Sequence, residues 1–246
     1  RDPSLGLKES VMSSSNVHDL ARFEAEQISQ ARSFKSVYVY QAPIRIWHWV
    51  NALAFCVLAV TGWLIASPLP SPGGEASSHH MMGTLRYLHF SAGYIMAFGL
   101  LGRIYWAFVG NQFARELFWL PLFQLPYWKD LWSMLKWYAF ASQSPHQYMG
   151  HNPLARLIMF SLFLCPTVLM VLTGFAMYAE GQGADTWFDG LFGWVTPLFG
   201  SSQDVHTWHH LGLWGLICFV IIHTYAATRE EILGRSSMLS TMVSGW

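Results

Sequence analysis

Four long apolar runs stand out along a chain whose remaining stretches are polar or mixed. They cover residues 46–66 (IWHWVNALAFCVLAVTGWLIA), 87–109 (YLHFSAGYIMAFGLLGRIYWAFV), 154–178 (LARLIMFSLFLCPTVLMVLTGFAMY) and 207–227, the last within DVHTWHHLGLWGLICFVIIHTYAATRE (204–230). About 20 apolar residues let a helix cross the hydrocarbon core of a bilayer, and each run meets that length. The pattern predicts an all-α integral membrane protein, a four-transmembrane-helix bundle occupying residues 37–246. The first run is stopped by SPLPSPGGEASS, rich in Pro, Ser and Gly. Between the second and third lies YWKDLWSMLKWYAF, whose aromatics and two lysines suit a helix lying in the interface. Residues 1–36 are polar and Ser-rich and read as a flexible tail with at most one short surface helix around ARFEAEQI. About 40 mostly polar residues precede the first run, so no cleavable secretory signal is expected, and Met12 is a candidate start.

Composition agrees with the pattern: 53% of residues are hydrophobic, only 11% are charged, and there are 13 tryptophans. A net charge of zero excludes nucleic acid as an expected partner and leaves membrane lipid. Cys56, Cys165 and Cys218 fall inside apolar runs without CxxC spacing, so they read as small core residues and not as a metal site or disulfide framework. Where the charges sit is more informative than their sum. Counting Arg103 with the inner end of the second span, all 14 Lys and Arg except Arg86 lie in the N-terminal tail, the connection between spans two and three, or the C-terminal tail. The positive-inside rule then puts both termini in the cytoplasm and the loops 67–86 and 179–206 on the opposite side. The tryptophans near span ends, Trp47, Trp137 and Trp246 among them, read as interfacial anchors.

Ionisable groups inside spans are costly and mark function. His209 and His223 stand fourteen residues apart in the fourth span. That spacing returns to within about 40° of the same helix face after a rise of about 21 Å. With the topology above, His89 and His209 fall at outer depth and His48 and His223 at inner depth, and each layer draws on two different helices. Two imidazoles on facing helices are what a bis-histidine haem b in a helix bundle requires. A flat macrocycle also needs small neighbours one turn from each ligand. Ala52 follows His48, Ala92 and Gly93 follow His89, Gly212 follows His209, and Ala226 and Ala227 follow His223. The expected cofactors are two haem b, with His48, His89, His209 and His223 as iron ligands. His206 and His210 are rotated off the shared face by about 100° and 140°, and His206 suits a contact with a partner at the outer surface. His18, His79, His80, His146 and His151 read as solvated or interfacial. Arg103, fourteen residues after His89, lies level with the inner layer and is a candidate to neutralise a haem propionate, with Arg86 a candidate at the outer one; a snorkelling role is the alternative for Arg103.

Several longer motifs carry a resemblance: APIRIWHW (42–49), RYLHFSAGYIMAFGLLGRIYWAFVGN (86–111), RELF (115–118), GHNPLARL (150–157), LTGFAMY (172–178), DVHTWHHLGLW (204–214) and STMVSGW (240–246). From residue 38 onward the chain resembles the b-type cytochrome subunit of membrane-bound uptake nickel-iron hydrogenases. The resemblance implies a bacterial cytoplasmic (inner) membrane protein. It would anchor the hydrogenase large and small subunits on the periplasmic side, within a larger symmetric complex. Electrons from their iron-sulfur clusters would reach the outer haem, then the inner haem, then a membrane quinone. Related formate dehydrogenase subunits hold quinone beside the inner haem near an Asn at the start of span three. Asn152 matches that position, with His151 as a proton donor; alternatively Asn152 and Pro153 only start the span. The chain itself offers no hydrogen-activating site. Two other readings stay open: the membrane cytochrome of another respiratory oxidoreductase, and a haem-free anchor or transporter.

Overall fold

The computed structural model describes residues 37–70, 80–142 and 148–246. The expected tail, with its short helix, and His18, His79 and His146 lie outside the described residues. Tyr38–Trp246 forms one compact unit, helical throughout its regular structure. The helices are α1 (Ala42–Ala66), α2 (Met81–Val109), α3 (Leu125–Tyr138), α4 (Pro153–Gln182), α5 (Trp187–Phe192), α6 (Val195–Phe199), α7 (Ser202–Ile232) and α8 (Met238–Ser244). Of these, α1, α2, α4 and α7 are long and apolar enough to cross a membrane. The chain is a multi-pass integral membrane protein built on four spans.

Local chemistry explains where each span starts and stops. Pro43 sits in the first turn of α1, where its missing N–H is no loss, and Ser67 ends the helix just before Pro68. The Asn152 side chain caps α4 by accepting from Ala155 N at 2.8 Å. Ser201 caps α7, with Asp204 in the first turn and Arg229 in the last, both favourable to the helix dipole. Within α4 the segment Met159–Leu164 is π-helical. Pro166 lies just beyond it and can neither donate nor tolerate the carbonyl one turn back, and the wider turn absorbs that conflict.

The spans pair: α1 packs along α2 and α4 along α7, with a smaller contact between α2 and α4. Their outward faces are apolar and exposed, as with Phe98, Leu101, Tyr105 and Phe108 on α2. Cys56, Cys165 and Cys218 are also exposed, which corrects their reading as core residues; on a span, an apolar neighbourhood is as readily lipid as protein interior.

At the inner end, by the charge-derived topology, the chain closes on itself. The Gly245 carbonyl accepts from Val39 N at 2.9 Å and Tyr40 N at 3.4 Å, and Arg45 donates to the Val243 carbonyl. Gly245 has φ 95°, and a Cβ there would stand 2.4 Å from the Tyr38 ring, so both conformation and space call for glycine. Helix α3 is pinned to the end of α7. Arg229 donates to the Trp137 carbonyl at 2.7 Å and lies over the Trp137, Tyr138 and Phe140 rings, while Trp137 Nε1 donates to Glu230 at 2.8 Å. Trp137 is therefore buried, not an interfacial anchor, because its indole N–H has a carboxylate to satisfy inside. Trp47 likewise turns inward, edge-on to Phe163 at 6.1 Å.

Candidate functional site

The four span histidines converge in two pairs. His89 on α2 faces His209 on α7 with ring centroids 6.4 Å apart, and His48 on α1 faces His223 on α7 at 6.2 Å. An imidazole nitrogen binds a transition metal at about 2 Å, so an iron between two such rings sets their centroids roughly 6 Å apart. Both separations fit.

The outer pair is held from behind by the same dipeptide on two helices. Thr61 Oγ1 donates to the Val57 carbonyl at 2.6 Å and lies 2.9 Å from His89 Nδ1. Thr173 Oγ1 donates to the Leu169 carbonyl at 2.7 Å and lies 2.8 Å from His209 Nδ1. A hydroxyl has one proton. With it given to the backbone, each threonine oxygen accepts from the imidazole, which places the proton on Nδ1 and leaves the Nε2 lone pair for a metal. The next residue is glycine both times. A Cβ on Gly62 would stand 3.2 Å from His89 Cε1, and one on Gly174 would stand 3.2 Å from His209 Cε1. The repeated Val-Thr-Gly-Trp and Leu-Thr-Gly-Phe is the sequence signal of this arrangement.

A model for prokaryotic cytochrome b561 matches residues 39–245, nearly all of the described unit. The chain belongs to the prokaryotic cytochrome b561 family. Curated relatives extend along almost the whole chain. It is 56% identical over 217 residues to a probable Ni/Fe-hydrogenase B-type cytochrome subunit of Azotobacter vinelandii, covering 88% of this chain and 90% of that one. A protein of the same name from Cupriavidus necator is 54% identical over 235 residues, 96% of each chain. The probable Ni/Fe-hydrogenase 1 B-type cytochrome subunit of Escherichia coli is 45% identical over 215 residues, 86% of this chain and 90% of its own. A b-type cytochrome of this family carries haem b, and in bacteria its multi-pass membrane is the inner one.

The residues of this cytochrome fit such a group. Gly62 and Gly174 keep clear the space that side chains would take from the outer imidazoles. At the inner level Arg103 is only 5% exposed, and its Nε and Nη1 have no hydrogen-bond partner among the described residues; it lies over Trp47 and Phe118 at 5.5 and 5.3 Å. A buried guanidinium with two unpaired nitrogens suits an anionic group such as a propionate. Arg86, by contrast, is exposed. Gly212, expected to admit the macrocycle beside His209, instead faces α4: a Cβ there would meet Met170 Sδ at 2.6 Å. Its role is close helix packing.

Beside the inner pair lies a second polar group. His151 Nδ1 is 2.9 Å from Glu116 Oε2, which also accepts from the His151 backbone N–H at 3.0 Å, and the Tyr40 hydroxyl is 3.0 Å from the same ring. Burial, then the Glu116 charge, push the Tyr40 phenol above its usual range, against the pull of Arg103. Asn152 is buried, with its Oδ1 spent on the cap of α4. Tyr127 holds the adjoining Pro153 carbonyl at 3.1 Å. Glu116 and Tyr40, 35 and 111 residues from His151, had no sequence pattern to announce them. The two off-face histidines stay apart from both pairs. His206 is exposed, with Nδ1 2.9 Å from the Ser202 carbonyl, and the exposed His210 stacks on Trp214.

Proposed function

We propose that this cytochrome is the membrane subunit of a nickel-iron hydrogenase, holding two haem b and carrying electrons from that enzyme to membrane quinone. His89 and His209 hold the outer group, His48 and His223 the inner one. The observation that carries this reading is the pair of facing imidazole sets, 6.4 and 6.2 Å apart, at two depths of one bundle. Relatives named as hydrogenase cytochrome subunits support the choice of donor over a formate dehydrogenase. When bound, the two groups supply one-electron redox chemistry at two levels about 21 Å apart along α7.

The chain's own residues do the rest. The spans exclude water from the imidazoles, and Arg103 offers its cation to a propionate of the inner group. Both termini lie in the cytoplasm, so the outer loops, with Glu180, Asp185 and Asp189, meet the hydrogenase on the periplasmic side. At the inner end a quinone binds beside Asn152 and His151. The His151 ring, set between the Glu116 carboxylate and the Tyr40 hydroxyl, delivers a proton to the reduced quinone and is reprotonated through Glu116.

The test is haem per polypeptide by pyridine haemochrome on the gently solubilised complex, with reduction by hydrogen followed in the same sample. Near two haem b, both reducible by hydrogen, is the expected result, and His89→Ala and His223→Ala each leave one. A colourless protein in intact membranes overturns the electron-transfer reading and favours an anchor or transporter. Haem without a nickel-containing partner reassigns the donor.

A further inference from the structure

The two imidazole pairs are not equivalent. Both rings of the outer pair give their Nδ1 proton to a threonine, at 2.9 and 2.8 Å, and each threonine is itself fixed by a short bond to the carbonyl four residues back. Among the described residues, nothing comparable serves the inner pair. Nδ1 of His48 is buried with no hydrogen-bond partner among the described residues, and His223 is met by the face of Phe219 at 5.3 Å and 22°. We infer that Thr61 and Thr173 are positioning residues that give the outer haem a lower midpoint potential than the inner haem, making transfer from the outer to the inner level downhill.

The argument is one of ligand basicity. An imidazole that donates from Nδ1 to a fixed acceptor carries more electron density on Nε2 and is the stronger donor to iron. A stronger donor favours the ferric over the ferrous form, which lowers the potential. At the outer level both His89 and His209 would be strengthened in this way. At the inner level His48 has no such acceptor, and the buried cation of Arg103 favours the more reduced, less positive state. Both differences act in the same sense. The threonine hydroxyls are buried, and their orientation is set by the helix they belong to, so the hydrogen bonds are maintained through the redox change. The glycines reinforce the point, because Gly62 and Gly174 let each ring lie against the helix that carries its threonine.

This inference rests on the haem assignment above. Its test is an anaerobic redox titration of the whole complex, read by optical and low-temperature electron paramagnetic resonance spectra, for Thr61→Val, Thr173→Val and the double variant. Valine keeps the shape and removes the acceptor. His89→Ala, which removes the outer component, identifies which signal is which. Each valine is expected to shift the outer ferric-to-ferrous balance about tenfold toward ferrous, a rise of about 59 mV, with the inner potential unmoved. Thr61→Ser and Thr173→Ser, which keep the hydroxyl, restore the original value. Where a variant binds less haem, the bound fraction is titrated. An outer potential unchanged in the double variant, or an equal shift of both haems, overturns the inference while leaving the ligand assignment intact. Absence of haem from the unaltered complex would instead remove the assignment itself.

Discussion

Replacing Gly62 tests the outer site through space alone, without touching a ligand or a hydrogen-bonding group. A Cβ at this position would lie 3.2 Å from His89 Cε1 and 3.8 Å from Nδ1. The first distance is a few tenths of an ångström shorter than an ordinary carbon–carbon contact, so Gly62→Ala obliges the ring to yield by about that much. The hydrogen bond to Thr61, 2.9 Å long, has room to lengthen by that amount. Gly62→Val is a different case. Its γ carbons extend about 1.5 Å further, into the volume of the ring, and overpacking of that kind costs about 1–3 kcal/mol. Losing the Thr61 hydrogen bond adds about 1 kcal/mol more. Together these amount to roughly 30- to 1,000-fold in haem affinity, all of it at the outer level.

The assay is haem per polypeptide, with the fourth-span control Gly215→Ala, whose added methyl meets nothing within 4 Å. Glycine in a helix interior costs about 1 kcal/mol relative to alanine, so both alanine variants gain intrinsic helix stability. The expected result is therefore a split. Gly215→Ala keeps both haems, Gly62→Ala keeps both with an altered outer spectrum, and Gly62→Val falls toward one haem while its helices remain folded by circular dichroism. Full haem content and an unaltered spectrum in Gly62→Val would refute the reasoning, because a ring with that much freedom is not held against α1.

Arg103→Gln removes the buried cation and is expected to lower the inner haem's potential while the outer one stays put; a redox titration that finds the inner component unmoved would end the propionate role. Glu116→Gln and His151→Ala are expected to slow quinone reduction at least tenfold while hydrogen still reduces both haems, which a stopped-flow comparison of haem reduction and reoxidation separates. Trp137→Phe leaves the buried Glu230 carboxylate short of its 2.8 Å donor and is expected to cost about 1–3 kcal/mol, seen as a lower melting temperature in detergent with the haem spectrum unchanged.

The spans were legible because bilayer thickness imposes a length that composition alone reveals, yet their ends were not. Helix α7 runs from Ser202 to Ile232, well past the apolar run, since its first and last turns are held by the Ser201 cap and by Arg229 packing on α3 rather than by lipid. The facing of His209 and His223 on one helix was legible from helical periodicity. Their partners followed from depth, which the distribution of Lys and Arg supplied. What escaped was everything that depends on contact between helices. Thr61 and Thr173 are unremarkable in isolation, because a threonine bonding back to its own helix is common in membrane spans. Only the neighbouring helix shows that the same oxygen accepts from an imidazole. Gly212 is a case of the same kind: spacing from His209 gives its helix position, but not the presence of Met170 opposite.

The two layers also differ in symmetry, and that difference bears on what each can do. At the outer level α1 with α2 repeats α4 with α7: a Thr-Gly pair on one helix grips a histidine on the next. Fourteen residues after His209 comes His223, the proposed inner ligand, but fourteen after His89 comes Arg103. Thirteen before Thr61 comes His48, whereas thirteen before Thr173 comes Phe160, within the π-helical segment that Pro166 imposes on α4. In the proposed assignment the inner ligands therefore come from α1 and α7, leaving a cation on α2 and an aromatic on α4 at that depth. A symmetric cradle suffices where electrons only pass through. The proposed reduction of a quinone also needs protons and a polar cleft, and among the described residues it is the asymmetric end that places a buried arginine and the Tyr40, Glu116 and His151 cluster close together.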